Sequence, residues 1–270
     1  MCYDYARMLK DIEMLTDNYN IIERFSIGKS VMQKDIPCLK IGKGKKKLLL
    51  SGAYHGLEYL TAAFLIKFVS NYTVKLMTET EYFGYDIKRL YSDITVYIVP
   101  MVNPDGVDIA LNGLDITNEY HRHLISMVGI HSFNNVWQAN SRGVDINHNF
   151  DAKWQMVVDK PSPSKYGGEY AESEPETRAI TEFVRKEQFD MLLAFHSQGR
   201  EIYYDFDGMT GENSVEIAKK MAEESGYAVC IPTGTASYGG CKDWFIKEFG
   251  KEGFTVEIGT GQNPLPMSMI

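Results

Sequence analysis

One short stretch of the chain joins an apolar run to two residue types that bind metal ions. Residues 47–58 read KLLLSGAYHGLE, so small residues follow the apolar run and lead to His55 and Glu58. The run predicts a buried strand, and residues 59–69 continue with helical spacing. Residues three apart on a helical turn share one face, where an imidazole and a carboxylate can hold one metal ion. A solvated histidine beside a glutamate explains the same short motif, so further ligands must come from elsewhere in the chain.

Two more residues of this kind fall at the ends of predicted strands. His196 follows the apolar run 189–195, and Glu257 lies near the end of the run 254–258. Ligand sites in open α/β sheets form at the carboxyl ends of strands, which gathers these residues with His55 at one edge. Two imidazoles and one carboxylate suit a catalytic zinc ion, because three protein ligands leave the fourth position for water. Glu257 is then the candidate general base that takes a proton from that water.

The predicted elements alternate between apolar strands and amphipathic helices. Helices are predicted for residues 4–19, 59–69, 174–186, 212–226 and 239–249, and further strands for 21–41 (two strands) and 93–100. Ser173 and Glu176 form a predicted capping box, and residues 107–150 predict a long loop region with short helical pieces. We therefore expect one α/β domain over residues 1–270, with a mixed, mostly parallel central sheet and helices on both faces.

The composition excludes several classes of protein. The 270 residues carry a formal net charge of −8, and their one dense basic run, residues 43–47, is interpreted as a solvated hairpin turn, so no nucleic-acid partner is expected. The four cysteines form no Cys-x-x-Cys pair, which argues against a thiolate zinc cluster, and reduced thiols are expected: Cys2, Cys38, Cys230 and Cys241. The chain shows no apolar signal core or membrane-spanning stretch, which predicts a cytoplasmic protein without a membrane partner and leaves the oligomeric state open.

A polar segment adds residues that support such a site. Residues 140–150 read NSRGVDINHNF. Asp145 is a candidate to accept a hydrogen bond from the free ring nitrogen of His55, which is the usual support for a metal-bound histidine. A role in a loop or a helix cap explains Asp145 as well.

Together these motifs resemble those of the zinc metallocarboxypeptidases, the family typified by pancreatic carboxypeptidase A. The matching pieces, in the family's order, are HGLE at 55–58, NPDG at 103–106, GVDIN at 143–147, HS at 196–197 and TVE at 255–257. The resemblance implies one zinc ion bound by His55, Glu58 and His196, with Glu257 as the catalytic glutamate. It further implies two supporting roles: Asp145 as the carboxylate that orients a ligand, and Asn147 as a substrate-binding residue.

Two positions depart from the digestive members of that family. His148 stands where those enzymes have an arginine that holds the terminal carboxylate of the substrate. Gln138 stands near the position of a second arginine, which polarises the scissile carbonyl, and Arg142 is the nearest cation in sequence that can replace it. Tyr238 is a candidate phenol near the site, although its register differs from that of the family's mobile tyrosine. These departures argue against specificity for an ordinary terminal carboxylate.

The surrounding sequence is more similar to that of bacterial γ-D-glutamyl-meso-diaminopimelate peptidases. The similar segments are residues 137–145, 166–168, 195–199, 236–244 and 257–266. The resemblance implies a peptidoglycan-derived peptide (a muropeptide) as substrate, cleaved at the γ-D-Glu–diaminopimelate bond. Arg142, His148 and Arg200 are candidates for a pocket that binds its carboxylates.

Three other functions remain open at this point: a zinc carboxypeptidase of general peptides, a zinc amidase or deacylase of small N-acyl amino acids, and a non-catalytic peptide-binding protein. The implied family also continues past residues 263–266 with a closing helix. Since the sequence ends at Ile270, it is either a truncated form or a naturally short member; if the helix is missing, one flank of the sheet is expected to be exposed, which would favour association or lower stability.

Overall fold

The core of the protein, seen in a computed structural model, is a mixed β-sheet. The structure describes residues 3–115, 117, 119–129, 131–155, 157–234 and 238–270, so Cys2 and the start of the segment 236–244 lie outside it. The strands within these ranges are β1 (Ile22–Lys29), β2 (Asp35–Gly42), β3 (Lys46–Gly52), β4 (Glu81–Tyr82), β5 (Tyr85–Asp86), β6 (Ile94–Val99), β7 (Met191–His196), β8 (Glu201–Tyr203), β9 (Ala228–Cys230) and β10 (Glu252–Glu257). Strands β4 and β5 form a separate hairpin.

The other eight described strands form the central sheet in the order β1-β2-β6-β3-β7-β10-β8-β9. The four central strands β6, β3, β7 and β10 run parallel to one another, and β8 pairs parallel with β9. The pairs β1–β2, β2–β6 and β10–β8 are antiparallel. The prediction of a mixed, mostly parallel sheet in one α/β domain is confirmed.

Helices cover both faces of this sheet. They are α1 (Tyr5–Asn18), α2 (Tyr59–Thr78), α3 (Ile87–Asp93), α4 (Pro104–Asn112), α5 (Glu119–Val128), α6 (Phe133–Val136), α7 (Pro175–Glu187), α8 (Ser214–Ser225) and α9 (Cys241–Phe249), with short 3₁₀ helices at Gly56–Glu58, Ile146–His148 and Met267–Met269. Successive side chains of a strand point to opposite faces. Leu50 accordingly packs into the cluster that contains residues of α1, α2 and α8, whereas Leu49 packs into the cluster formed with α7 and α9.

The basic run 43–47 is not a hairpin turn, so that interpretation is wrong. Strand β6 inserts between β2 and β3, pairing antiparallel with the first and parallel with the second. Lys47 belongs to β3 and forms an ion pair with Glu187, with Nζ 2.9 Å from Oε2. A short connection between two strands favours a hairpin, and only the tertiary pairing with β6 excludes one here.

Residues 107–150 hold more helix than predicted. Helix α4 begins with Pro104 after Asn103, whose side chain accepts a hydrogen bond from the backbone N–H of Gly106. This is ordinary N-cap chemistry, and the buried Val107 and Ile109 then give α4 an apolar face.

Among the described residues, no helix has the length and apolar character needed to cross a membrane. Cys38, Cys230 and Cys241 are unpaired.

The predicted capping box before α7 is also wrong. The N-cap is Glu174, and its side chain makes no capping hydrogen bond. Glu176 instead turns into the core, where its Oε1 accepts a hydrogen bond from the backbone N–H of Val31 at 3.0 Å. Burial raises the pKa of Glu176 to about 8; the Val31 N–H opposes that rise and the charge of Asp105 adds to it.

Replacing Glu176 with glutamine is expected to change how stability depends on pH. Between about pH 4.5 and 8 the folded state keeps a proton that the unfolded chain has lost, so the free energy of unfolding falls as pH rises. Glu176→Gln removes this titration and is expected to stabilise the protein at pH 8 by roughly 1–3 kcal/mol. Urea unfolding at pH 5, 7 and 8.5 measures the effect, with Glu182→Gln on the exposed face of α7 as the control. Parallel pH profiles for Glu176→Gln and the unmodified protein would contradict the prediction.

Candidate active site

Three adjacent strands bring the candidate residues to one edge of the sheet. His196 is the last residue of β7 and Glu257 the last of β10, and the two are paired in register. Strand β3 pairs with β7 on the other side, ending with Gly52 opposite Phe195. His55 follows three residues after β3 and caps the 3₁₀ helix that contains Glu58. Because these strands are parallel neighbours, residues distant in sequence meet at their carboxyl ends, as the sequence predicted.

His55, Glu58 and His196 form a compact group of potential metal ligands. Their ligand atoms all lie within 4.8 Å of one another, and among the described residues they are the only such group. Glu58 links the two rings, with Oε1 2.8 Å from His55 Nδ1 and Oε2 2.9 Å from His196 Nδ1. Glu58 is 3% exposed and His196 is 2% exposed. Two imidazole nitrogens and one carboxylate, converging in a buried place, fit the ligand set of a catalytic zinc ion.

Asp145 supports this group from behind. Its Oδ1 accepts hydrogen bonds from His55 Nε2 at 3.1 Å and from the backbone N–H of Asn147 at 3.2 Å. Its Oδ2 accepts one from the backbone N–H of Lys165 at 2.8 Å. The ring of His55 is therefore held with Nδ1 toward Glu58, the arrangement expected for a metal-binding histidine.

The electrostatics of the group suit a cation. Burial alone would lower the pKa of His55, but the charges of Glu58 and Asp145 outweigh it and raise that pKa. Burial alone would raise the pKa of Glu58, but the two histidines outweigh it and bring that pKa to about 2. Burial and then the nearby charge of Glu58 raise the pKa of Glu257. Three carboxyl groups thus surround two imidazoles, and a divalent cation would offset this negative charge.

Tyr54 holds His196 from the core side, a contact that the sequence did not reveal. Its ring lies parallel to that of His196, with 5.2 Å between ring centroids and 18° between ring planes. Its hydroxyl lies 2.7 Å from Ser51 Oγ and donates a hydrogen bond to Cys241 Sγ at 3.1 Å. The only signal in the sequence is that a large aromatic residue interrupts the small residues directly before His55.

Glu257 faces a cavity of about 330 Å³ beside the ligand group. Its lining includes the polar side chains of Asn147, Tyr203, Lys242, Asp243, Thr255 and Glu257. Asn147 Oδ1 accepts a hydrogen bond from the backbone N–H of Cys241 at 3.1 Å. That bond turns the amide nitrogen of Asn147 into a potential donor to a ligand.

His148 and Tyr238 contact each other. His148 Nδ1 donates a hydrogen bond to the backbone carbonyl of Tyr238 at 2.9 Å, and its Nε2 lies 4.0 Å from Asp145 Oδ2. The ring of Tyr238 lies instead beside Lys153, whose Nζ is 5.8 Å from the ring centroid. Both ring nitrogens of His148 are thus directed at protein groups, and neither residue lines the Glu257 cavity in the part of the chain that the structure describes.

Two candidate arginines lie away from that cavity. Arg142 NH1 is 3.6 Å from Glu174 Oε2, and the residue lines a different cavity of about 240 Å³. The buried carboxylate of Glu174 explains this placement. Arg200 packs on the ring of Tyr227, 5.5 Å from its centroid, in a separate and largely apolar groove of about 830 Å³.

Gln138 is the departure that stays near the ligand group. Its backbone carbonyl accepts hydrogen bonds from the N–H of Gly56 at 3.0 Å and from Asn103 Nδ2 at 3.3 Å. A Cβ at Gly56 would lie 2.4 Å from the carbonyl oxygen of Gly106, so only glycine allows this close approach. The segment that carries Gln138 is thereby packed against the residue that follows His55.

An α/β sheet with two histidines and a glutamate placed as potential metal ligands, and a further glutamate beside them at its strand ends, is typical of the metallohydrolase class. Residues 8–270 match the family described as zinc carboxypeptidase. The chain belongs to the zinc carboxypeptidase family, and it is accordingly a zinc metallopeptidase that acts on peptides. The predictions of family, fold and enzyme class are confirmed.

Individual relatives and structures agree with this assignment. Gamma-D-glutamyl-L-diamino acid endopeptidase 1 of Lysinibacillus sphaericus is 37% identical over 273 residues, which cover 98% of this chain and 68% of that protein. Carboxypeptidase B of Bos taurus is 26% identical over 268 residues, covering 91% and 60%. The crystal structure of thrombin activatable fibrinolysis inhibitor superposes with a TM-score of 0.78 at 22% identity, covering 98% of this chain and 69% of that one, so the two share a fold.

Proposed function

We propose that this protein is a zinc peptidase that hydrolyses γ-D-glutamyl–diaminopimelate bonds in peptidoglycan-derived peptides, using one zinc ion held by His55, Glu58 and His196. The observation that carries the activity is the buried ligand group next to Glu257 at the ends of three adjacent strands. Support for the substrate comes from the 37% identical relative, whose name is gamma-D-glutamyl-L-diamino acid endopeptidase 1.

The residues of the chain have separate tasks in this proposal. A zinc ion bound here would polarise the scissile carbonyl and make the attacking water more acidic. Glu257 accepts the proton of that water and delivers it to the departing amine. Asp145 fixes the ring of His55 through the 3.1 Å hydrogen bond to Nε2. Asn147 offers its amide nitrogen to the substrate from the wall of the cavity that Glu257 shares.

His148 is not placed to hold the terminal carboxylate of a substrate. Its ring nitrogens are directed at the Tyr238 carbonyl and at Asp145, and His148 does not line the cavity of Glu257. Recognition of the substrate then rests on groups of the cavity itself. Specificity for the scissile bond would then come from contacts with the two residues that flank it.

The test compares three substrate classes on the zinc-loaded protein. L-Ala-γ-D-Glu-meso-diaminopimelate is expected to release free diaminopimelate, detected by mass spectrometry. An ordinary α-linked peptide and an N-acetyl amino acid serve as comparison substrates, one for the general carboxypeptidase and one for the deacylase. Preferential cleavage of either comparison substrate would replace the proposed function, and tight binding of the tripeptide without turnover would indicate a binding protein.

Tyr54 is expected to act on zinc affinity through the ring of His196. Tyr54→Phe keeps the stacked ring and loses only the hydroxyl contacts, whereas Tyr54→Leu removes the ring. We expect Tyr54→Leu to weaken zinc binding about tenfold, since groups that orient a ligand typically matter by this much, and Tyr54→Phe to stay close to the unmodified protein. Competition with a chromophoric chelator measures the dissociation constant. Equal zinc affinity of the leucine and phenylalanine variants would show that stacking does not position His196.

A further inference from the structure

The apolar groove of about 830 Å³ lies along helix α2, on the face of the sheet opposite to α9. Its walls come from α2, from the hairpin of β4 and β5, from the residues at the end of α8 and from the end of the chain. Most of the rings and methionines that line it are Phe64, Phe68, Tyr82, Phe83, Tyr227 and Met269. The groove shares no lining residue with the cavity of Glu257, so it is separate from the candidate active site.

Exposed apolar side chains concentrate on this flank of the protein. Of the 13 large hydrophobic side chains that are exposed among the described residues, five belong to the last turns of α2, to the hairpin that follows it, or to the end of the chain. They are Val74, Met77, Phe83, Tyr85 and Met269. Apolar surface gathered in one place marks an interaction site, and aromatic residues and methionine are the types enriched in protein interfaces.

The tip of the hairpin carries an aromatic ring that its own turn does not explain. Phe83 and Gly84 form a two-residue turn between the paired Tyr82 and Tyr85, and both turn residues have positive φ, 50° and 77°. Such a turn favours Asn-Gly, and a bulky side chain at positive φ is disfavoured. The ring of Phe83 contacts that of Tyr82, with 4.5 Å between centroids, yet Phe83 is 80% exposed. Local folding therefore does not account for this phenylalanine, whereas contact with another molecule does.

The charges of the groove decide which partner fits. Lys67 of α2 and Glu224 of α8 both line it, and neither forms an ion pair within the part of the chain that the structure describes. In a dimer with two-fold symmetry, Lys67 can face Glu224 of the partner subunit, and the same contact is repeated with the roles exchanged. An anionic membrane surface would pair with Lys67 alone, and the net charge of −8 opposes its approach.

We propose that this groove is the interface of a symmetric homodimer, in which Phe83 of each protomer fills the groove of the other and Lys67 faces Glu224 of the partner subunit. The groove supplies the apolar recess, the hairpin supplies the ring that projects, and the two charges are complementary when the surface meets a copy of itself. The inference goes beyond the proposed function, because the interface requires neither zinc nor substrate. Either proposal can therefore fail without the other.

Sedimentation velocity of the full chain over a series of concentrations tests the dimer. We expect the mass of two chains at high concentration, with a dissociation constant that Phe83→Asn raises at least about 100-fold, because both copies of the ring are lost. Asparagine tolerates positive φ, so the variant should unfold at the same or a higher temperature when both proteins are monomers. Tyr170→Asn is the matched control, since Tyr170 is an exposed aromatic residue that lines a different cavity.

An exchange of charges tests the two-fold arrangement. Lys67→Glu and Glu224→Lys are each expected to weaken the dimer about tenfold, because each variant places like charges opposite one another. The double variant restores opposite charges, and its dissociation constant should return to within about threefold of the original. A double variant as weak as the single variants would overturn this arrangement.

Two further results would overturn the interface itself. One is the mass of a single chain at every concentration of the unmodified protein. The other is a dimer whose dissociation constant is the same in Phe83→Asn as in Tyr170→Asn, which would place the contact on another surface. Neither result would affect the proposed hydrolysis, because the substituted residues do not line the cavity of Glu257.

Discussion

Replacing Glu257 with glutamine is expected to abolish peptide hydrolysis while zinc binding is retained. Glutamine has the shape of glutamate but cannot accept the proton of the attacking water, so kcat should fall by about 10²–10⁴. The ligand group is left intact because it consists of His55, Glu58 and His196. Steady-state hydrolysis of the diaminopimelate tripeptide gives kcat, and atomic emission gives the zinc content of the same preparation.

Glu252→Gln is a suitable control for this experiment. Glu252 begins β10, the strand that Glu257 ends, and its side chain accepts a hydrogen bond from Asn213 at the opposite edge of the sheet. The control should keep both activity and zinc. Wild-type turnover by Glu257→Gln would exclude Glu257 as the general base, and loss of zinc from that variant would place Glu257 among the metal ligands.

The part of the site that could be predicted from the sequence follows from strand order. Each of His55, His196 and Glu257 comes at or just after the carboxyl end of an apolar run, and parallel strands place such ends at one edge. Nothing more was needed to gather residues that are up to 202 positions apart in the chain. The adjacency of β3, β7 and β10 then determines which of these ends are neighbours.

Contacts of the long polar side chains could not be predicted in this way. Arg142 is the nearest cation to Gln138 in sequence, but the buried carboxylate of Glu174 holds it elsewhere. His148 contacts the carbonyl of Tyr238, a residue 90 positions away. Such contacts depend on how two loops pack against each other, and this packing cannot be predicted from the residue types of either loop alone.

Tertiary contacts also overrode two local patterns. Glu176 has the spacing of a capping box, yet it bonds to the backbone of Val31, 145 positions away. Tyr54 looks like an unremarkable residue before a histidine, yet its ring lies against His196, whose place depends on a different strand. In both cases the deciding partner is distant in sequence, so the short-range pattern alone gave an incomplete interpretation.

The second large effect is expected on metal binding, because the carboxylates around His55 and His196 favour a bound cation. Replacing His196 with alanine removes one of the three proposed ligands and leaves Glu58 buried with a single imidazole partner. We expect zinc affinity to fall at least about 100-fold. At a zinc concentration 1,000 times the original dissociation constant, the stabilisation of the folded state should drop from about 4 kcal/mol to about 1.4 kcal/mol.

Thermal unfolding with and without zinc separates this loss from damage to the fold. His196→Ala also removes the ring that Tyr54 contacts, so the zinc-free protein should be less stable as well. The decisive quantity is therefore the increment that zinc adds to each protein. His131→Ala, at an exposed histidine outside the ligand group, should keep the full increment because it changes no ligand. If His196→Ala kept the full increment, zinc would be bound elsewhere. The group of His55, Glu58 and His196 would then be excluded as the zinc site, and the proposed mechanism would be wrong.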